Sequence, residues 1–480
     1  MADARRMLFQ AVDVTSVING VELRQTKVWP EIAAPFCLLI ATNRVPETGA
    51  GFRLISPRLE TALNVSGTMR IDAHSAEIVA TQQLVETPDI LKILFRGSKS
   101  DLGLIGRIRS KGFPTLESFW RNAIGVSDRG RMAGSGQGYQ RLRSSSPPDR
   151  NGDGQPGKDA KHLFGLPDVT IESLDEVIID ADNLPTFQQK RVHRLRDARL
   201  FESPLAIVHK SPPAEHCRIR VGIAVQPVAY NESFYGYCPG GVSHADVLVR
   251  YLALVLGSKF ALWFALITSG EFGFEREVIE KAALDRIPRP DFRELPRDRW
   301  DEIHRLFEGL RVPGASWDDV DRWVAELYGL GSGDLQIISD TLAYNLPFAD
   351  TKIAAQAPPE VKDVENFCSL LESELATWGK RFNRLLTVRM VTIRPASPWI
   401  VLVLQAGTGD PAVRVQNEWD ALLSVADASA ASEMILEDGA DALLIGHLAQ
   451  SRYWSETQAR LLAQHIIWSR LDFLKGSSRR

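Results

Sequence analysis

The feature that most restricts how this 480-residue chain can fold is its longest apolar stretch, Ala245 to Gly270. On length alone it could cross a bilayer. It carries Asp246, Arg250 and Lys259, however, and no uncharged run within it reaches the ~20 residues that a span requires. The stretch therefore reads as one long helix, from His244 to Ser269, buried inside a folded domain with no membrane contact. A chain that is 44% hydrophobic and 24% charged can bury such a core. At roughly 150 residues per domain, its length leaves room for about three domains. Cys37, Cys217, Cys238 and Cys368 lie far apart with no CxxC pair. That spacing excludes a disulfide framework and a thiolate zinc site, and it fits a reducing compartment. The N-terminus, MADARRMLFQAVDV, lacks the apolar core of a secretory signal. A soluble, cytoplasmic protein is expected.

Along the chain the pattern alternates. APFCLLIAT, in the Pro35 region, is a nearly unbroken apolar run that suits a strand buried on both faces, and FRLISP suits a second strand. TPDILKILFRG and SDLGLIGRIRSKG place apolar residues at helical spacing and stop at Gly97 and Gly112. Strand plus flanking helices predicts a parallel, Rossmann-like sheet, of which about 125 residues hold only the closing strands. Residues 129–165, rich in Gly, Ser, Pro and Arg, read as a flexible linker. SPLAIVHK and RIRVGIAVQPVAY predict strands around a Pro-Pro turn, and FYGYCPGG an aromatic strand end. The prolines of IPRPDF close that unit. Helices follow in RDRWDEIHRLFEGL, SWDDVDRWVAELYGL and SGDLQIISDTLAYN, with Ser316 and Asp319 approximating a capping box. The remainder predicts a helix, two strands (TVRMVTIR, PWIVLVLQ) and a closing helix, TQARLLAQHIIWSRLDFL.

Charge distribution says more than the formal net charge of −4. From Arg96 to Arg143 there are ten Lys or Arg against three acids, and QQKRVHRLRDAR, Gln188 to Arg199, has five against one. Basic zones inside an acidic protein are the footprint of a phosphate-backbone track; two solvated helix faces are the competing explanation. Lys190, Arg191, Arg194 and Arg196 are the candidates for backbone contacts. Arg131, Arg141 and Arg143, on the Gly/Ser-rich segment, are candidates for a loop that orders around a duplex. Tyr235 and Tyr237 are candidates for base contact, with packing against the helix carrying Trp263 as the alternative. No HExxH or H-x-E…C-x-x-C pattern supports a zinc hydrolase or deaminase, and GSGQGY at Gly134–Tyr139 has no preceding apolar strand to make it a nucleotide loop.

The runs APFCLLIATNRVP…FRLISPRLE and TPDILKILFRGSKSDLGLI resemble the region after the catalytic motif of N6-adenine DNA methyltransferases of the type I and type IIG restriction–modification kind. From SPLAIVHKSPP to DRIPRP the chain is similar to their target-recognition domain. The matching pieces are Leu256-Gly257-Ser258-Lys259, Arg276 and Ile287-Pro288. The resemblance covers roughly the first 290 residues and weakens towards DTLAYNLPF. Such enzymes need a glycine-rich S-adenosylmethionine motif and an [DNS]PP[YFW] tetrapeptide for the flipped base. The chain offers only the near-misses Ser146-Pro147-Pro148-Asp149, Ser211-Pro212-Pro213-Ala214 and Asn345-Leu346-Pro347-Phe348. The resemblance thus implies the C-terminal half of a split or truncated methylase, with no catalytic, cofactor-binding or metal residue of its own. S-adenosylmethionine is expected on a separately encoded N-terminal half, with which an edge strand at Pro35–Thr42, exposing unpaired backbone and apolar surface, would pair; a strand internal to a self-contained small sheet is the alternative.

The expected fold class is α/β. A partial Rossmann-like methyltransferase sheet (1–128) and the linker (129–165) precede an α+β target-recognition-like domain (166–292). A helical segment (293–355) and a small C-terminal α+β domain of unknown role (356–480) complete the chain. The expected function is the DNA-recognition portion of a site-specific adenine-N6 methyltransferase, binding double-stranded DNA in a restriction–modification or phage-defence system. Two alternatives stay open: a stand-alone specificity subunit partnering a nuclease or helicase, and a degenerate structural or regulatory remnant.

Overall fold

A computed structural model describes residues 2–71, 76–149, 153–312, 314–391, 397–407, 423–426, 428, 431–438 and 441–476. Within them the fold is mixed α/β, as the alternating pattern predicts, with three four-stranded sheets and one two-stranded ribbon. The chain separates into two units: residues 1–102 with 343–480, and residues 103–342.

In the first unit, a sheet is ordered Cys37–Thr42, Asp13–Asn19, Gly51–Ile55, Glu77–Ala80. Asp13–Asn19 runs parallel to Gly51–Ile55, and the other two pairings are antiparallel. The parallel, Rossmann-like arrangement expected from sequence is therefore corrected to a mixed one. Cys37–Thr42 is an edge strand with all six residues exposed, as expected of a strand that would pair with another chain, while the burial on both faces expected from its apolar run is corrected. An unbroken apolar run signals a strand with cover on both sides, and here the helices cover one face of the sheet only. That face packs Val14, Val17, Phe52, Leu54 and Val79 against Phe9, Leu84, Ile90 and Leu94. The helices Ile90–Arg96 and Lys99–Ser110 end before Gly97 and Gly112 as expected, Gly112 taking a left-handed φ of 68°. Beneath them Arg96 donates to the buried Glu22 at 2.6 Å.

The same unit holds a second, antiparallel sheet ordered Leu386–Val391, Trp399–Ala406, Ala442–Leu448, Glu433–Glu437. The last two strands add to the two that the sequence pattern predicts. Helices Val361–Arg381 and Glu456–Ser469 lie on one face, burying Phe367, Leu371, Leu375 and Ile466 against Leu402, Leu404 and Ile445. A true capping box between Glu360 and Asp363 starts the first of these helices.

The second unit is built on an antiparallel sheet ordered Ser135–Gln137, Phe234–Tyr237, Leu205–His209, Val221–Ala224. Its first strand lies inside the stretch expected to be a flexible linker, and Lys158–Asp159 of that stretch pairs with Arg191–Val192. The glycines there serve close approach rather than flexibility. A Cβ at Gly134 would meet the Cys238 carbonyl, and one at Gly138 would meet the Tyr230 carbonyl. Tyr139, next in sequence, is fully buried in the core.

The long apolar helix is also corrected. It is two helices, Ala245–Gly257 and Lys259–Thr268, bent by 64°. Ser258 makes the break, donating to the Val255 carbonyl at 2.6 Å and accepting from the Ala261 N–H at 3.3 Å as N-cap of the second helix. Among the described residues no single helix is long and apolar enough to cross a membrane. The helices Arg297–Leu310, Asp318–Tyr328 and Ser332–Asn345 follow where expected. The expected Ser316/Asp319 capping box is replaced by a shorter turn, in which Ser316 Oγ accepts from the Asp318 N–H at 3.1 Å and Trp317 is the N-cap.

Candidate nucleic-acid interface

The strand Ser135–Gln137 is the outer edge of its sheet, and the chain on either side of it carries Arg131, Arg141 and Arg143. Continuing past Gly138, the backbone is clamped on both flanks. The Tyr139 N–H donates to the Tyr230 carbonyl, and Gln140 exchanges hydrogen bonds with the Arg194 carbonyl and the His193 N–H. This brings 131–143 beside 193–196, although the two segments are far apart in sequence.

Arg143 and Arg196 are fixed at this junction, next to Glu232 and Gln137. Arg143 pairs with the Glu232 carboxylate at 3.3 Å. Arg196 donates to the Gly138 carbonyl at 3.0 Å and to Gln137 Oε1 at 3.3 Å, while Gln137 donates to the Glu232 carbonyl at 2.7 Å. Burial, with Arg194 and Arg131 close by, pulls the Arg196 guanidinium below its ordinary pKa. A fifth cation, Lys210, joins them: burial depresses its ammonium, Glu232 opposes that shift, and Arg196 adds to it. Arg196 thus has Arg131, Arg194 and Lys210 as like-charged neighbours with Glu232 opposing them, and Arg131, Arg143 and Arg194 are exposed. A cation held near like charges gains when a phosphate arrives, because the anion relieves the mutual repulsion.

The other candidates part company. Arg191 is structural: its side chain donates to Pro156 O at 2.9 Å, Asp153 at 2.8 Å, Gln155 O at 3.1 Å and Gly157 O at 2.7 Å. Those bonds fasten the ribbon and leave the guanidinium few free donors for a phosphate. Lys190 is exposed beside Arg191, on the ribbon rather than in the Glu232 cluster. Arg141 is exposed near the Tyr139–Asp168 pair, whose oxygens lie 2.7 Å apart. From Lys190 to Arg196 the QQKRVHRLRDAR run is not helical, so the solvated-helix-face explanation fails for that part.

Both tyrosines are withdrawn from base contact. Tyr237 is fully buried, donates to Asp285 at 2.9 Å and packs edge-on at 5.7 Å against Trp120, which lies on the helix Leu116–Ala123 and not on the helix carrying Trp263. Tyr235 is 7% exposed and its hydroxyl donates to the Ile279 carbonyl at 3.3 Å. Their alternation along FYGY suits an exposed strand end, but the strand is internal to the sheet. Sequence reasoning also misses Lys210 and Glu232, which sit singly at strand ends and leave no run of charge to notice.

The near-miss tetrapeptides are occupied by local structure. Ser146 is buried, with its hydroxyl 2.9 Å from His193 Nδ1, and the Ser211 carbonyl lies 2.8 Å from His209 Nδ1. Asn345 closes a helix, and its carbonyl accepts from Arg96 at 3.3 Å. Among the described residues no group of three or more His, Cys, Asp and Glu side chains is placed to hold a metal ion.

No protein-family model and no curated protein matches the chain. Among solved structures, the type IIG restriction endonuclease BpuSI is similar over 71% of this chain and 44% of its own, at 11% identity and a TM-score of 0.32. The chain therefore spans less than half the length of that structure.

Proposed function

We propose that the chain binds duplex DNA through the basic cluster where 131–143 meets 193–196, as the DNA-recognition portion of a split or truncated adenine-N6 DNA methyltransferase in a restriction–modification or phage-defence system. The observation that carries the DNA reading is the Gln140 pairing with 193–194 that brings 131–143 beside 193–196, with Arg143 on Glu232 and Arg196 on Gly138 and Gln137. The three exposed arginines grip phosphates, and Arg196 and Gln137 hold the edge strand that presents them. Arg143 trades Glu232 for a phosphate, which gives the interface a steep dependence on salt. Base edges are met by loop residues next to this edge, since both buried tyrosines are out of reach.

The methylase reading rests on the sequence resemblance, and under it S-adenosylmethionine and the adenine pocket belong to a separate chain. Calorimetry of the purified chain with S-adenosylmethionine, beside a tritiated methyl-transfer assay, tests this half of the proposal. The expected result is no binding and no transfer by the chain alone, with transfer restored on co-expression with a neighbouring gene product that ends just after an [DNS]PP[YFW] motif. Micromolar cofactor binding by the isolated chain contradicts the split arrangement.

A further inference from the structure

The sheet formed by Cys37–Thr42, Asp13–Asn19, Gly51–Ile55 and Glu77–Ala80 has a second face that its own helices leave bare. Residues directly opposite in a ladder point to the same side. Ile18 pairs with Leu38 and Ile55, Ser16 pairs with Ile40 and Arg53, and Arg53 pairs with Ile78. Ile18, Leu38, Ile40, Ile55 and Ile78 therefore share one face, running across all four strands, with Arg53 among them. Leu38 is 40% exposed, Ile40 54% and Ile78 70%. Arg53 is exposed, and among the described residues no carboxylate pairs with it.

A sheet that carries parallel strands and flanking helices is ordinarily covered on both faces. We propose that this face seats an amphipathic helix of a partner polypeptide, with an apolar stripe over the isoleucines and a carboxylate against Arg53. Two arguments select that occupant. A wholly apolar cover would strip water from the Arg53 guanidinium and return nothing to it, so the partner must bring an acid. A second copy of this chain, packed face to face about a two-fold axis, would bring Arg53 towards its own symmetry mate from a central strand and add repulsion where attraction is needed. The inference goes beyond the DNA reading and stands independently of it.

The test uses the full chain and two labelled synthetic peptides. Each is an amphipathic helix of about 14 residues, long enough to cross four strands at ~4.8 Å spacing. One carries a single Glu in its Leu/Ala stripe, and its twin carries Lys there. Fluorescence anisotropy should show the Glu peptide binding about tenfold more tightly than the Lys peptide. Arg53→Glu should invert that preference. Ile40→Glu should weaken both peptides by about tenfold while leaving the melting curve in place; if that variant does not fold, the Arg53 charge swap decides alone. Hydrogen exchange should slow in residues 13–19, 37–42 and 51–55 when the Glu peptide is bound. Equal affinities, no binding, or a preference untouched by Arg53→Glu overturns the proposal. So does a dimer in sedimentation that Ile40→Glu dissolves, because the face would then belong to a second copy. None of these readouts involves DNA, so their failure is separable from failure of the basic cluster.

Discussion

The arginines of this protein do different work according to what their donors already hold. Arg131 and Arg194 are exposed and hold Arg196 under like-charge pressure. Arg131→Ala or Arg194→Ala is therefore expected to weaken binding to specific and random duplexes alike, with stability unchanged to within about 0.5 kcal/mol. Arg191, only 17% exposed and held by four acceptors, is the contrast. Arg191→Ala should cost about 2 kcal/mol in urea denaturation and leave the salt dependence of DNA binding as it was. A third expectation concerns acid. Burial alone would raise the Glu22 pKa, but Arg96 and Arg58 overcome it and hold the carboxyl at about 2, below its usual 4.5. A carboxylate with a depressed folded pKa stabilises fully above its unfolded value and loses that contribution as pH falls through its folded value. Urea midpoints should thus drop between about pH 4.5 and pH 2, and Glu22→Gln should be less stable at pH 7 with a flatter profile over that window. At this scale the sequence announces a basic zone but not its division. The Lys190–Arg196 run contains phosphate candidates and a structural clamp side by side, and Asp153 with the carbonyls of 155–157 distinguishes them.

At the scale of elements, helix ends are the most legible feature, because Gly97 and Gly112 act through local backbone geometry. The break in the apolar helix is also within reach. Gly257-Ser258 supplies a poor helix former followed by an N-cap residue, and the apolar pattern on both sides hides it. Ser258→Ala is expected to cost about 1 kcal/mol through removal of the cap at the Ala261 N–H, read as a shift in the denaturation midpoint. The misread linker has a different cause. Composition cannot separate a glycine that loosens the chain from one that lets two backbones touch, and Gly134 and Gly138 are of the second kind. Gly138→Ala should destabilise by about 3 kcal/mol, since the added Cβ meets the rigid Tyr230 carbonyl. An unchanged melting curve for that variant would return 129–165 to the status of a linker. Cys37–Thr42 is legible only in part: its exposed edge is expected of a pairing strand, but the apolar run reports that cover is wanted and is silent on who provides it.

For the molecule as a whole, the sequence places the helices and strands in order but not the joining of 1–102 with 343–480 into one unit, because periodicity carries no information about which distant segments meet. The same blindness hides the cluster that matters most, where 131–143, 194–196, Lys210 and Glu232 converge. The central claim is that this cluster is a phosphate-binding surface. A salt-titrated mobility shift of the full chain on specific and random duplexes, with and without Arg131→Ala/Arg143→Ala/Arg194→Ala, tests it most directly. Each phosphate left without its arginine should flatten the slope of log affinity against log salt by about 0.9, so the triple variant should shed roughly three units on every sequence while melting like the parent. An unchanged slope in the folded triple variant would mean that these arginines do not touch DNA.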